Sequence, residues 1–519
     1  MYKRMLAIMV SISLMLCVVS VRLYSLAKGG VQTAAVSQGK YTVTVAKPRG
    51  TVYDTKMRRL TNTTLKTVAV LPPTAEAVGA VTEYISDNAD ILERLKSGKP
   101  ILAEVPSDFE CRGVYKFAVP AGLAADQLAC HVIGYVDGEG KGVSGIQYAY
   151  NELLSSAAPL KVTYTVDAGG RPLAGVEATV SGSAENNNGV VLTIDSQIQR
   201  IAEISGASLG KGAVIVMQSS TGKIRALSSF PSYSPSNVGD VLDDTSAPLV
   251  NRALSAYNVG SVFKLCVLTA ALRQNINPLT AYTCDGFVNI GDTRFNCNNH
   301  SGHGTLDMTS ALAKSCNCYF IGLGKEVGAS SLYDTCLRFG FNRAYLLADG
   351  MTASSGTLPS LSSITAQPAA LANLSFGQGD LMLTPLHIAV MVAAIANGGM
   401  LVTPSLVEAV TEGDKITEFD TATPRRILSD ANTVTLRTMM EAVISDGTGA
   451  SAKPEKGTAG GKTATAETGW YVENRLVTQS WFAGYYGEYT IVVIKEDGRS
   501  GSTDCAPVFK SICDAISEL

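Results

Sequence analysis

The chain has 519 residues, with 42 Lys+Arg against 45 Asp+Glu and a formal net charge of -3. At roughly 100–200 residues per domain, that length implies two to four domains with ample material for a core. Hydrophobic residues at 46% and charged ones at 17% exclude global disorder and a broad basic face, so no nucleic-acid partner is expected. The four histidines (His131, His300, His303, His387) leave few ways to build imidazole catalysis.

Met5 to Val21 is an uncharged apolar run, preceded by Lys3 and Arg4 and continued by Leu23, Tyr24 and Leu26, with Arg22 placed to snorkel. Residues 1–27 read as a cytoplasmic tip and a single uncleaved membrane anchor. The positive-inside rule puts the N-terminus in the cytoplasm and the rest outside, a single-pass protein of the cell membrane. Ser25-Leu26-Ala27 offers a small-residue cleavage site, so a removed signal peptide is the other reading. Outside the cytoplasm disulfides are permitted, but ten cysteines beyond Cys17 do not make a dense framework in so long a chain.

Residues 28–44 read as a connector and 45–185 as an N-terminal module of short strands, turns and helices, opening with a strand over 41–46. Ser183 to Gly189 is a turn-rich break, and 190–519 is the larger domain. There the pattern predicts a strand at 190–194 and a helix at 196–205 with Asp195 as N-cap. A hairpin follows, 213–217 with 223–229, around Ser219-Ser220-Thr221-Gly222. Val262 to Leu272 is apolar almost all round, the mark of a buried helix. Strands at 480–485 and 489–495 flank Tyr486-Gly487-Glu488, and 506–519 suits an amphipathic helix. Strands at both ends with helices between predict an α+β fold, an antiparallel sheet flanked by helices.

Ser261 and Lys264 lie three apart at the start of the apolar helix, on one face. A desolvated lysine can take the proton of a serine, and a helix N-terminus offers N–H groups to a developing oxyanion. Ser-x-x-Lys recurs at Ser25, Ser37, Ser208 and Ser220. Only the Ser261 instance is followed by Ser315-Cys316-Asn317 after 54 residues and Lys462-Thr463-Ala464-Thr465 after a further 147.

That ordered triple resembles the penicillin-binding proteins, a family of serine acyltransferases. The resemblance extends to Lys47–Asp54, to Gly142–Gln147 (with Gln147 where the family has an acid), to Asn251-Arg252-Ala253, to Ser375–Gly379 and to Thr384-Pro385. It covers about residue 45 to the end and lacks a glycosyltransferase module, which resembles the monofunctional class B type. The resemblance implies a penicillin-binding/serine β-lactamase-like transpeptidase domain at 190–519 on an N-terminal, dimerisation-like pedestal at 45–185. It implies a D,D-transpeptidase in which Ser261 attacks the D-Ala-D-Ala stem peptide. Lys264 is then the base, Ser315 a proton relay and Asn317 a holder of substrate amide and Lys264. Lys462, Thr463, Ala464 and Thr465 form the strand that binds the terminal carboxylate, and the oxyanion sits between the N–H groups of Ser261 and Thr465. Glu467 and Arg252 are expected to be structural.

The partners so implied are peptidoglycan stem peptides, β-lactam antibiotics, the cytoplasmic membrane through the N-terminal helix, and a SEDS-type glycosyltransferase; no cofactor or catalytic metal is expected. A D,D-carboxypeptidase and a catalytically weak penicillin-binding sensor or scaffold are the alternatives. The second rests on Ala464, which stands where the family has glycine; its methyl is expected to slow acylation without abolishing it. Cys284 and Cys297 with His300 and His303 have spacings a metal could use, whereas the resemblance favours a disulfide between the two cysteines. Cys316 is expected to line the cleft without doing chemistry.

Overall fold

The computed structural model describes residues 2–25, 39–173 and 175–519. Most of the expected connector, and Leu26-Ala27 of the alternative cleavage site, lie outside the described residues, as do the side chains of Lys3 and Arg4. Helix α1 (Tyr2–Ser25) contains a 21-residue, predominantly apolar stretch, Met5–Ser25, none of it buried in the protein. At 1.5 Å per residue that stretch spans about 30 Å, the thickness of a bilayer's hydrocarbon core. Its serines do not spoil the span. Ser11 and Ser25 donate their hydroxyls back to the carbonyls of Ala7 and Arg22, both at 2.9 Å, so these two polar groups are satisfied within the helix.

Two compact units follow. The smaller comprises Met1–Gly50, Asn62–Ala121 and Ser155–Asn186. It carries two three-stranded sheets, Lys40–Ala46 with Leu160–Thr165 and Thr179–Ser181, and Ile101–Glu104 with Leu65–Leu71 and Tyr115–Pro120. The larger comprises Thr51–Thr61, Gly122–Leu154 and Asn187–Leu519. It therefore takes in two segments that a linear boundary near 185 places in the N-terminal module. The reason is strand pairing: Thr51–Tyr53 runs parallel to Gly189–Leu192, which pairs in turn with Val407–Glu412. Asp54 fixes the end of this segment, accepting from the Lys56 and Arg58 N–H groups while Arg58 bridges Asp54 and Asp195 at 2.6 Å each.

The larger unit is built on one antiparallel sheet. Asp195 caps α2 (Ser196–Gly206) by accepting from the Gln197 N–H, and β1 (Gly212–Gln218) and β2 (Ile224–Phe230) form the expected hairpin. Gly260–Phe263 is a 3-10 turn that runs straight into α3 (Lys264–Arg273). Then come α4 (Met308–Ala313), α5 (Asn317–Val327), α6 (Pro385–Ala396), α7 (Asp430–Ser445), β3 (Ala459–Val472), β4 (Arg475–Tyr486), β5 (Tyr489–Glu496) and α8 (Ala506–Ile516). The strand order is β2-β1-β5-β4-β3, so the first and last thirds of the unit meet in the middle of the sheet.

Period-two alternation decides which core each strand residue enters. Val214, Val216, Ile491 and Val493 pack with Ile198, Phe509 and Ile512 of α2 and α8. Ala213, Ile215, Val492 and Ile494 face the other way, into a core shared with α3 and α6. Every residue of α3 from Lys264 to Leu272 is buried, as its all-round apolar sequence requires. Leu268 at its centre is fully buried. Leu268→Ala is expected to cost about 2–5 kcal/mol, seen as a lower denaturation midpoint with an unchanged far-ultraviolet circular dichroism spectrum.

Candidate active site

The three motif segments converge on one cleft of about 970 Å³, lined among others by Ser261, Ser315, Asn317, Thr463, Ala464 and Thr465. Each segment is aimed by a distinct local device. Ser261 is placed by glycine. Gly260 has φ +60, and a Cβ there would lie 3.1 Å from the Ala466 Cβ on β3. Gly377 has φ +83 and donation from Gly260 N–H to its carbonyl at 2.9 Å; a Cβ on Gly377 would sit 1.9 Å from the Gly260 oxygen. Two left-handed residues without side chains thus press the serine-bearing turn against the sheet edge.

Ser315 and Asn317 sit at the junction of α4 and α5. The Ser315 N–H donates to Leu312 O at 3.1 Å and the Cys316 N–H to Ala311 O at 3.0 Å, the two bonds of a Schellman helix end. The left-handed position of that motif usually belongs to glycine; here Ser315 holds it, at φ +56. Cys316 then caps α5, its sulfur accepting from the Tyr319 N–H at 3.4 Å. The serine is held in a costly conformation that aims its hydroxyl inwards.

It points at two lysines. Lys264 Nζ donates to Ser315 O at 2.8 Å, Ser315 Oγ at 3.2 Å and Asn317 Oδ1 at 2.8 Å. Lys462 Nζ donates to the same Ser315 Oγ at 2.9 Å and to Thr463 O at 2.9 Å. Both lysines are fully buried and neither lines the cleft; they reach it through the Ser315 hydroxyl. Burial pushes the Lys264 amine down to about 7, partly opposed by the thiols of Cys316, Cys297 and Cys318. Burial first, then repulsion from Lys264, lowers Lys462 well below the ordinary lysine range.

Ser261 is half-buried, and among the described residues its hydroxyl makes no hydrogen bond to Lys264, whose amine the Ser315–Asn317 loop already occupies. Thr463 Oγ1 is 2.7 Å from Thr448 Oγ1, and Ser502 Oγ donates to Thr448 O at 2.7 Å. Thr448 and Ser502 therefore complete a hydroxyl wall that motif spacing did not reveal; Gly447-Thr448-Gly449 is their only local signal. Arg252 is buried against Glu496 and the carbonyls of Ser246 and Ala247, whereas Glu467 is exposed at the cleft.

Ala464 is 3% exposed and packs in the apolar core that contains Trp481, its cross-strand partner. The departure from glycine is absorbed by that packing. Ala464→Gly is therefore expected to lower stability by about 0.5–1 kcal/mol while changing the rate of penicillin labelling by less than about threefold, a smaller effect than the sequence suggests; thermal unfolding and a labelling time course measure the two.

The chemistry of a lysine base has a pH signature. Lys264 accepts a proton only when neutral, which is the dominant form above about 7. The acylation rate is expected to rise as pH increases through that value and to level off beyond it. A rate flat across the neutral range, in single-turnover labelling of intact protein, contradicts Lys264 as the base.

Residues 212–514 match the penicillin binding protein transpeptidase domain. The stage V sporulation protein D of Bacillus subtilis is 28% identical, over 91% of this chain and 78% of that protein. The peptidoglycan D,D-transpeptidase PbpA of Mycolicibacterium smegmatis is 31% identical, over 59% of this chain and 67% of that protein. Among solved structures, a chain from a peptidoglycan synthase complex superposes with a TM-score of 0.70 at 23% identity, covering 99% of this chain and 98% of its own.

Proposed function

This chain belongs to the penicillin-binding protein transpeptidase family, and on that premise we propose that it is a membrane-anchored peptidoglycan D,D-transpeptidase working by a serine acyl-enzyme. The observation that carries the reading is the single hydroxyl of Ser315 shared by two buried amines behind a cleft that Ser261 faces. Ser261 Oγ attacks the carbonyl between the last two D-alanines of a stem peptide, and neutral Lys264 takes its proton. Ser315 passes a proton to the departing D-alanine amine. Asn317 accepts from Lys264 and so fixes its position, leaving its amide to meet the stem backbone. The Thr463 and Thr465 hydroxyls receive the terminal carboxylate with Lys462 behind them, and the Ser261 and Thr465 N–H groups receive the oxyanion. An amine from a neighbouring stem then attacks the acyl-enzyme. One bond is lost to D-alanine and one is gained as the cross-link.

A β-lactam enters the same cleft, and its opened ring stays on Ser261. Helix α1 tethers the enzyme to the membrane, with Lys3 and Arg4 on the cytoplasmic side and both units outside. A SEDS-type glycosyltransferase is the partner proposed to meet α1 and the smaller unit. With full-length protein and stem-peptide substrate, cross-linked dimer is expected to exceed released D-alanine without dimer. Ser261→Ala is expected to abolish both the products and fluorescent-penicillin labelling, and Lys264→Met to lower labelling by about a thousandfold, the middle of the range for loss of a general base. D-alanine release with no dimer points instead to a carboxypeptidase, and turnover of the β-lactam to a hydrolase.

A further inference from the structure

Strands β3 and β4 run on past the cleft as a hairpin that the acyl-transfer chemistry does not use. The part of β3 that lines the cleft ends with Glu467, Thr468 and Gly469. The next three residues, Trp470, Tyr471 and Val472, are exposed by 77%, 68% and 54%. Single apolar residues on a surface are ordinary, but three in succession at the mouth of a cleft mark a binding surface. The chain's other tryptophan shows the contrast. Trp481 is fully buried, with its indole N–H on Asn258 O at 2.8 Å, whereas the Trp470 indole has no such partner among the described residues.

That exposure is built into the backbone. The pairing of β3 with β4 steps from Glu467–Thr478 to Tyr471–Leu476, so residues 468–470 bulge out of the ladder. Thr468 fastens the bulge: its hydroxyl donates to Val477 O at 2.8 Å and accepts from the Trp470 N–H at 3.1 Å. Gly469, at φ +75, supplies the left-handed step. A bulge of this kind re-aims a side chain beside a site. Beyond it Val472 pairs with Arg475 across Glu473 and Asn474, whose φ values of 50 and 62 are those of a two-residue turn matched to strand twist. Arg475 then clamps the tip to Asp497, just past β5, through two bonds of 2.6 Å.

On the acyl-enzyme reading, the terminal carboxylate of the stem lies at Thr463 and Thr465 and its scissile carbonyl at the Ser261 and Thr465 N–H groups. The stem then runs antiparallel to β3, with its upstream end towards Glu467 and the hairpin. Gly260 brings the Ser261 turn against β3 at Ala466, and Trp470 stands four residues further on, about 13 Å at strand spacing. The stem upstream of the scissile carbonyl is about four residues long, also about 13 Å when extended, and it hangs from an N-acetylated amino sugar of the glycan strand. That sugar reaches the hairpin when the carbonyl reaches Ser261. We propose that Trp470 and Tyr471 form a platform that stacks on this N-acetylhexosamine ring, so that the enzyme grips the glycan strand as well as the stem. A pyranose presents a face of C–H groups, which suits the negative face of an aromatic ring, and rim hydroxyls, which suit the free indole N–H. Resting on the transpeptidase reading for the direction of the stem, the platform makes Trp470 a specificity residue that favours glycan-borne over free stem peptides.

The chain has 2 tryptophans, one exposed and one buried, so its emission reports on the hairpin. Full-length protein in nanodiscs is titrated with chitotetraose and with soluble glycan strands stripped of their stem peptides. Both are expected to shift the emission of Trp470 and to give a measurable heat of binding by calorimetry. Trp470→Ala is expected to abolish that heat with an unchanged far-ultraviolet circular dichroism spectrum, and Trp470→Phe to keep most of it. Ile204→Ala, an exposed apolar change on α2 at the β2 end of the sheet, is expected to keep all of it. In the cross-linking assay the wild-type protein is expected to have a KM about tenfold lower for glycan-borne than for free stems, the scale of one aromatic contact, and Trp470→Ala to lose that preference. No heat and no emission change with either glycan overturns the proposal, as does a heat that survives in Trp470→Ala. Quenching of Trp470 by brominated phospholipid in the nanodisc assigns the hairpin to the membrane surface and overturns it too, as does an equal emission change with free stem peptide. The glycan titrations need no acyl transfer, so failure of the platform and failure of the transpeptidase reading are separable.

Discussion

The site is organised around two amines buried on one hydroxyl. Lys264 and Lys462 are fully buried, and among the described residues neither forms an ion pair with a carboxylate. Burying an unpaired charge is so unfavourable that such a group gives up its proton instead. For Lys264, moved from 10.5 to about 7, the bias against charging is on the order of 5 kcal/mol. A surface lysine has no such bias and cannot deprotonate a serine at neutral pH. The poverty in histidine is consistent with the role proposed for Lys264, in which a desolvated lysine stands in for an imidazole base.

Keeping two amines on one oxygen requires the oxygen to be immobile. Ser315 achieves that by occupying the left-handed end of a Schellman motif, at a cost of roughly 1–2 kcal/mol relative to glycine. Glycine would relieve the strain and remove the hydroxyl. The same trade runs the other way at Gly377, where a side chain would collide with the Gly260 carbonyl, and at Gly260, where one would crowd Ala466 on β3. One strained serine and two glycines that take the left-handed conformation without strain hold segments far apart in sequence at one cleft.

The sheet and its helices were readable because period-two and all-round apolar patterns leave little choice. The β1–β2 hairpin, the β4–β5 pair, the Asp195 cap and the buried α3 all follow from local residue order. The motif triple was legible too, since its order and gaps distinguish Ser261 from four other serines with a lysine three residues on. What the chain hides is which side of an element faces which neighbour. Ala464 reads as an obstruction in the cleft; it does line the cleft, but its cross-strand pairing with Trp481 also packs it into a core. Thr51–Tyr53 reads as part of an N-terminal module, yet parallel pairing with Gly189–Leu192 carries it into the larger unit. Sequence proximity puts His300 as near Cys297 as His303, yet the register that pairs Cys284 with Gly304 sets His303 beside both sulfurs.

Cys316 shows how closely the Ser315–Asn317 loop is joined to its neighbouring thiols. Its N–H completes the helix end that strains Ser315, its sulfur caps the helix that begins with Asn317, and that same sulfur lies within 4.8 Å of the Cys284 and Cys297 sulfurs and of a His303 ring nitrogen. A shift of Cys316 therefore cannot be local. It moves the Ser315 hydroxyl from both lysines on one side and the Asn317 carbonyl from Lys264 on the other. A misplacement of about 1 Å at reacting groups can cost a hundredfold in rate. The variable middle residue of a Ser-x-Asn motif is thus the place where an otherwise separate group of thiols acquires leverage over the position of Lys264. Position 316 carries that leverage through backbone geometry, without its own side chain touching substrate.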